Sequence, residues 1–284
     1  MARAALAPLP GDVGRAALAA LHEELVLPGK PGLVSPGDAG AHGDMDAGTF
    51  FRSLLALRGA FASLARAGAE GAPFAALRDL AVAAEARMLR ATGGVNTHRG
   101  ALFALGLLSA AAGREGAAGR TPGDDLGAAV RRHFGAALRD LPPDPRSHGS
   151  RAARHHGLPG ARDEALAGFP HLFGVALPAL RSCLARGAGR RRAALQALYA
   201  LVAALPDTNL LHRGGAGGLA FAQAAARRFL DAGGVLSPGW QLRARAVHRA
   251  FVDRGLSPGG SADMLAGALF VERLGEQGNP GRSR

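Results

Sequence analysis

The chain has 284 residues, 48% hydrophobic and 20% charged, enough to bury a core yet near the upper size that one domain organises. Its 34 Lys+Arg against 22 Asp+Glu give a formal net charge of +12, which favours anionic partners; aromatics are only 5%, so the interleaved basic and stacking residues of a single-strand nucleic-acid binder are missing. One cysteine, Cys183, set among apolar residues, excludes a disulfide framework and a thiolate metal site.

Arg3, Pro8, Pro10, Asp12 and Arg15 interrupt the N-terminal alanines, which leaves no apolar h-region. The longest uncharged stretches, around 100–113 and 165–180, are too short or too proline-broken for a span of roughly 20 apolar residues. The expectation is a soluble, cytoplasmic protein with neither a membrane nor a nucleic acid as partner.

From Gly11 to Leu27 apolar residues recur at helical spacing (Val13, Ala17, Leu18, Leu21, Leu25) until Pro28-Gly29 stops the element. Lys30, the only lysine, follows, a position where a compact ammonium suits and a planar guanidinium would not. The next stretch, Gly32 to Asp46, crowds His42 with Asp38, Asp44 and Asp46 into a glycine-rich segment. Extended chain would project residues 42, 44 and 46 to one side, a face able to hold Mg²⁺. The alternative is that Asp46 N-caps the following helix while Asp38 and Asp44 are solvated in a turn. The pattern alone leaves both open.

Asp46 or Thr49 caps a helix predicted to run to about Ala67 with the stripe Phe50, Leu54, Leu57, Phe61 and Leu64. The next runs from Pro73 to about Ala91; Phe74, Leu77, Ala81, Ala84 and Met88 share one side. Glu85 falls at the edge of that stripe, where it is an ordinary boundary glutamate or one partnered by Arg78 or a metal. Thr92-Gly93-Gly94 ends this helix, and Asn96 or Thr97 caps another through Ala101, Leu102, Leu105 and Leu108, with His98 in its first turn. Helix N-termini present unpaired amides and a positive dipole end, so this junction suits phosphate or ribose.

A further helix spans 121–139, and the Pro-, Arg- and His-rich stretch near 141–160 reads as a flexible basic loop in which His155 and His156 are solvated. Helices resume from Arg162 to Leu184, kinked or broken near Pro170 and Pro178, and from Arg190 to Leu205, where Arg190-Arg191-Arg192 is a solvated start. Asp207-Thr208-Asn209, with Arg213 and the glycines 214–218, leads into a helix to Asp231. The last helices are predicted over 238–254 and 260–274. Between them Ser257 and Ser261 offer capping hydroxyls and Asp263 lies where the helix dipole favours a carboxylate. With no sustained alternation of β-branched residues, the chain is expected to be an all-α, single-domain bundle. Polar junctions near 42, 96, 208 and 261 each precede a helix, and gathered at one end of the bundle they would form one deep site for an anionic ligand.

The motifs Lys30-Pro31-Gly32-Leu33-Val34 followed by Gly40-Ala41-His42-Gly43-Asp44-Met45-Asp46, then Thr92-Gly93-Gly94-Val95-Asn96-Thr97-His98, Asp207-Thr208-Asn209 with Arg213, and Ser257-Pro258-Gly259-Gly260-Ser261-Ala262-Asp263 carry a resemblance. In family order and over most of the chain, they resemble the triphosphoribosyl-dephospho-CoA synthase family. The resemblance implies a transferase that moves the triphosphoribosyl unit of ATP to the 2′-hydroxyl of 3′-dephospho-CoA, with adenine leaving. The product is the precursor of the prosthetic group on the acyl carrier subunit of malonate decarboxylase or citrate lyase, and Val34-Ser35-Pro36 is worded more like the malonate decarboxylase branch.

That reaction needs a cation for the triphosphate, a carboxylate facing an oxocarbenium-like centre, a base for the hydroxyl and a donor to adenine. The roles expected are Asp44 and Asp46, with Glu85 or Asp263, on Mg²⁺; Lys30 and Arg213 on phosphate oxygens; and a carboxylate or His42 as base. Asn96, Thr97 and Asn209 would orient ribose or base, and Ser35, His98 and Ser261 complete the binding set. Arg99 departs from the lysine expected of the family. Two other classes remain open at this stage: a metal-dependent nucleotide or ADP-ribose-type hydrolase, with water as acceptor, and a non-catalytic helical partner protein.

Overall fold

Three- and four-residue spacing of leucine, alanine and phenylalanine drives this chain into helices, and a computed structural model describes residues 8–142 and 148–278. Among the described residues no strand forms; one bridge, Ser35 with Asp38, closes a tight turn. Helix α1 spans Pro10–Leu25, α2 Ala47–Ala56, α3 Ala60–Ala69, α4 Phe74–Ala91, α5 Arg99–Ala117 and α6 Leu126–Asp140. The second half adds α7 (His148–His156), α8 (Ala161–Leu166), α9 (Leu177–Ala185), α10 (Arg190–Ala204), α11 (Thr208–Asp231), α12 (Trp240–Val252) and α13 (Gly259–Gly278). One contiguous apolar core joins them, built largely from alanine and leucine, with Cys183 buried in it as a small core residue. No single helix among the described residues is long and apolar enough to cross a membrane.

The centre of the bundle is the crossing of α3 on α5. Small residues allow it: a Cβ on Gly68 would lie 2.0 Å from the Ala110 carbonyl oxygen, and one on Gly113 would lie 1.9 Å from that of Ala65. Backbone therefore meets backbone, which no larger residue permits. At the opposite side Arg190 bonds Glu23 and Glu276, and Arg273 also bonds Glu23, tying α10, α13 and α1 together. Arg190 is thus a half-buried cross-link rather than the solvated helix start expected from its run of arginines.

Other expectations are corrected as well. The helix predicted from Asp46 to Ala67 is two, because the chain turns at Leu57–Gly59 with Gly59 at φ 83°. The apolar stripe continues across that turn, which hid it from the pattern. The basic stretch expected to be a loop contains α7, with the His155 and His156 rings edge to face at 4.8 Å; residues 143–147 lie outside the described residues. Near Pro178 the distortion takes the form of a π turn, Leu172–Ala176, running directly into α9. Helix α11 bends where Gly215 takes φ 60° and ψ −163°.

Candidate active site

The polar junctions do gather. Residues from all four, including His42 and Asp44, Asn96 to Gly100, Thr208 and Asn209, and Ser257 to Asp263, line one cavity of about 1180 Å³. Its lining comes from α4 and α5, the N-termini of α11 and α13, the 30–45 loop, and α7 with the segment leading into α8. Helix α7 in turn packs on α11.

Asp207 organises the two N-termini. Its carboxylate is 1% exposed and accepts from the backbone of Asn209 (2.9 Å) and, across 54 residues, from the backbone (2.7 Å) and hydroxyl (2.9 Å) of Ser261. One side chain thereby caps α11 and α13 together, which brings the third and fourth junctions side by side. Burial pushes its carboxyl up, and the hydrogen bonds from Ser261 and the α11 amides oppose that. Ser261, fully buried in this clasp, is a structural partner rather than a group offered to ligand.

Asp263, two residues further along α13, reaches the first turn of α5. A Cβ on Gly100 would stand 2.0 Å from its Oδ2, so the carboxylate occupies the space that glycine vacates and takes the Ala101 amide as donor. Burial first, then the negative charges of Asp207 and Glu24, hold its pKa well above the usual carboxylate range. The charge that could have relieved it is engaged elsewhere. Lys30, 2% exposed, gives its ammonium to Glu24 Oε1 (2.7 Å), the Glu24 carbonyl (2.7 Å) and the Leu25 carbonyl (3.3 Å). Its three hydrogens are spent on this internal pair, so the ammonium expected to meet phosphate holds the end of α1 instead.

His42 sits between Arg213 and Ser257. Arg213 can only donate, so its Nη2, 2.9 Å from Nδ1, makes Nδ1 an acceptor and leaves the proton on Nε2 for Ser257 Oγ at 2.9 Å. Burial and Arg213 lower its pKa. The imidazole is neutral with both nitrogens committed, which argues against it as the base. Arg213 also binds the carbonyls of Ala41 (3.1 Å) and Gly255 (2.9 Å), joining the first junction to the fourth.

Asp44 is exposed at the mouth, 3.5 Å from His42 Nδ1. Asp46 turns away: its Oδ1 caps α2 through the Thr49 amide (2.8 Å) and hydroxyl (2.8 Å). The face of residues 42, 44 and 46 imagined for extended chain is therefore not made, and among the described residues no group of three or more His, Cys, Asp or Glu is arranged to hold a metal. Ser35 lies in the tight turn with Asp38, outside the cavity lining. Glu85 finds its partner in Arg99, Oε1 to Nε 3.1 Å, and both line the cavity.

His98 is 3% exposed, packs edge-on against Phe50 at 4.8 Å and meets Ser53 Oγ through Nδ1 at 2.6 Å. Burial, with Lys30 nearby, drops its pKa to about 3, so it is neutral. Its Nε2 and the Thr97 hydroxyl are buried without a hydrogen-bond partner. Both residues line the cavity at the α5 N-terminus, where Asn96 accepts the Arg99 amide at 3.2 Å. Of the buried polar atoms without a partner among the described residues, these two belong to residues that line the cavity.

Sequence reasoning identified Asp207 only as part of a motif. The Asp-Thr-Asn order before a helix does announce an N-cap, but its second helix, 54 residues away, leaves no local signal. The partnership of Arg99 with Glu85 was likewise unseen, being a contact between α4 and α5.

Helix N-termini, unpartnered buried donors and cavity-lining carboxylates, gathered in a cavity large enough for a nucleotide and a second substrate, define a group-transfer enzyme for phosphorylated substrates. Residues 10–281 match the family model for ATP:dephospho-CoA triphosphoribosyl transferase, and the chain belongs to that family. It is 44% identical over 263 residues, 91% of this chain and 90% of the relative, to a protein of Stutzerimonas stutzeri strain A1501 named "Probable 2-(5''-triphosphoribosyl)-3'-dephosphocoenzyme-A synthase". A Klebsiella pneumoniae protein named 2-(5''-triphosphoribosyl)-3'-dephosphocoenzyme-A synthase is 40% identical over 264 residues, 91% of this chain and 92% of the relative. An Acinetobacter calcoaceticus relative carrying the "Probable" form of that name is 38% identical over 257 residues, 90% of this chain and 88% of the relative. No solved structure matches the chain.

Proposed function

We propose that this enzyme transfers the 5-triphosphoribosyl group of ATP to the 2′-hydroxyl of 3′-dephospho-CoA. The bond from ribose C1′ to adenine N9 breaks, the bond from C1′ to the acceptor O2′ forms, the hydroxyl proton passes to a base, and adenine leaves carrying a proton. The observation that carries the reading is the convergence of all four junctions on one cavity. Asp263 is the base assigned: it lines the cavity, and a carboxylate whose pKa burial holds above the ordinary range binds a proton more strongly than one at its ordinary value. His98 Nε2 and the Thr97 hydroxyl, unpaired until substrate arrives, orient ribose or the departing base, together with Asn96 and Asn209. Arg213 and Arg99, at the cavity wall, face phosphate oxygens.

Mg²⁺ fits as an ion that arrives with the triphosphate. It commonly binds one or two protein carboxylates and keeps phosphates and waters as its remaining ligands, and Asp44 and Glu85 line the cavity to serve as those carboxylates. When bound it supplies charge neutralisation. Asp46, committed to its helix cap, is left out of this set.

Within the family, the Val34-Ser35-Pro36 wording supports the malonate decarboxylase branch and hence an acyl carrier subunit downstream, in the cytoplasm. The test is chromatography of ATP, Mg²⁺ and enzyme with and without dephospho-CoA. Adenine and a heavier CoA derivative should appear in equal amounts and only with acceptor. CoA should be a poor acceptor, because its 3′-phosphate adds bulk and negative charge beside the attacking hydroxyl. Adenine released without acceptor would establish the hydrolase alternative, and ADP or pyrophosphate would mean a different transfer.

A further inference from the structure

The cavity extends well beyond the polar junctions. Along α4 its lining runs from Glu85 back through Ala81 and Arg78 to Leu77 and Phe74, and along α5 from Arg99 through Phe103 and Leu107 to Ala110. Each set covers 12 residues, about 16 Å of helix, with the charged pair Glu85 and Arg99 at one end and apolar side chains at the other. Ala153 and Leu158, in α7 and just beyond it, line the same cavity. ATP has no chain to fill such an arm.

Two guanidiniums on the arm are uncommitted. Arg99 pairs with Glu85, Arg162 bonds the Leu141 carbonyl and Arg213 bonds His42, but Arg78 on α4 and Arg154 on α7 have no hydrogen bond or ion pair among the described residues. They line the same cavity from different helices.

We infer that this arm is the acceptor subsite: the pantetheine chain of dephospho-CoA lies between α4, α5 and α7, with Arg78 and Arg154 on its diphosphate. The inference rests on the proposed reaction, which requires a second substrate beside ATP. The chemistry and the reach of the groups fit. From the attacking 2′-hydroxyl, dephospho-CoA presents ribose, then two phosphates, then an apolar chain of about four residue-lengths, roughly 14 Å extended. The cavity presents polar junctions and, leading away from them, an arm of about 16 Å with apolar lining, and Arg78 and Arg154 are among the residues that line the cavity.

The test uses steady-state kinetics of the full chain with 4′-phosphopantetheine as the probe. In the parent enzyme this fragment should inhibit competitively against dephospho-CoA and not against ATP. Ala81→Trp, which fills the arm, and Arg78→Gln, an exposed change that leaves the core alone, should each raise KM for dephospho-CoA at least tenfold, with KM for ATP within twofold. Fluorescence-monitored melting of both variants separates loss of fold from loss of subsite, and Arg78→Gln keeps the test decisive if Ala81→Trp unfolds. A rise in KM for ATP instead would place the adenine of the donor in the arm and overturn the inference, as would unchanged constants in an active enzyme. An enzyme inactive with dephospho-CoA before any substitution would refute the proposed reaction itself, a different outcome.

Discussion

Asp207→Ala removes the carboxylate that caps α11 and α13 at once. Two N-caps contribute about 1 kcal/mol each, and the Ser261 hydroxyl and amide, fully buried, would each lose their acceptor at about 1–3 kcal/mol apiece. These costs overlap, because the Ser261 amide belongs to both sums, so the expected loss is about 4 kcal/mol. For 284 residues the unfolding entropy is about 0.6 kcal/mol/K, so Tm should fall by about 7 °C. Asp207→Asn keeps one acceptor oxygen and should recover at least half of that. It also removes a negative charge that raises the Asp263 pKa, so the acid limb of kcat/KM should move to lower pH. Differential scanning fluorimetry and a pH–rate series measure both effects. A melting temperature for Asp207→Ala within 1 °C of the parent would refute the clasp, and an unmoved acid limb would refute the coupling to Asp263.

Asp263→Asn should lower kcat by about 10²- to 10⁴-fold while leaving the circular dichroism spectrum unchanged, and retention of more than a tenth of the parent rate would remove it as base. Because the folded-state pKa of Asp263 is raised, the parent holds a proton that the unfolded chain releases; its stability therefore declines as pH rises from 3.8 toward the raised value. The variant lacks that decline, so its Tm advantage over the parent should widen with pH, and a constant difference would contradict the assignment. Asp46→Ala should lower Tm slightly as a lost cap, with adenine release retained; loss of Mg²⁺ dependence would return Asp46 to the metal set. Lys30→Met leaves Glu24 buried and unpaired and should cost about 3–5 kcal/mol, much of it recovered by adding Glu24→Leu. A single variant that melts normally but loses ATP affinity would show that Lys30 reaches phosphate after all.

Helical periodicity and capping residues made the bundle and the junctions legible, because both are local properties of the chain. What escaped was non-local or masked by composition. Lys30 looked available from its place after a helix end, yet its ammonium folds back over Glu24 and two carbonyls of the α1 terminus. Asp46 carried two local readings of similar weight, and the nearby Thr49 amide and hydroxyl decided for the cap. Helix α7 was obscured by histidine, arginine and glycine, which favour a solvated segment; Ala152 and Ala153, both buried, supply its small apolar contact. The distance between Asp207 and Ser261 along the chain hid the one contact that sets the third junction against the fourth.

The glycine crossing of α3 on α5 fixes a helix that lines the cavity. With Ala110 and Ala65 carbonyls seated on Gly68 and Gly113, the distal half of α5 has no side-chain layer to deform, and a shift of even a methyl group would drive backbone into backbone. The rod is 19 residues long, so its free end, where Gly100 receives Asp263, is held in place like the fixed jaw of a vice. Helix α7, with nine residues, meets the bundle through its buried alanines Ala152 and Ala153 instead. The first turn of α5, where Gly100 makes room for Asp263, thus belongs to the same helix that this crossing fixes further along.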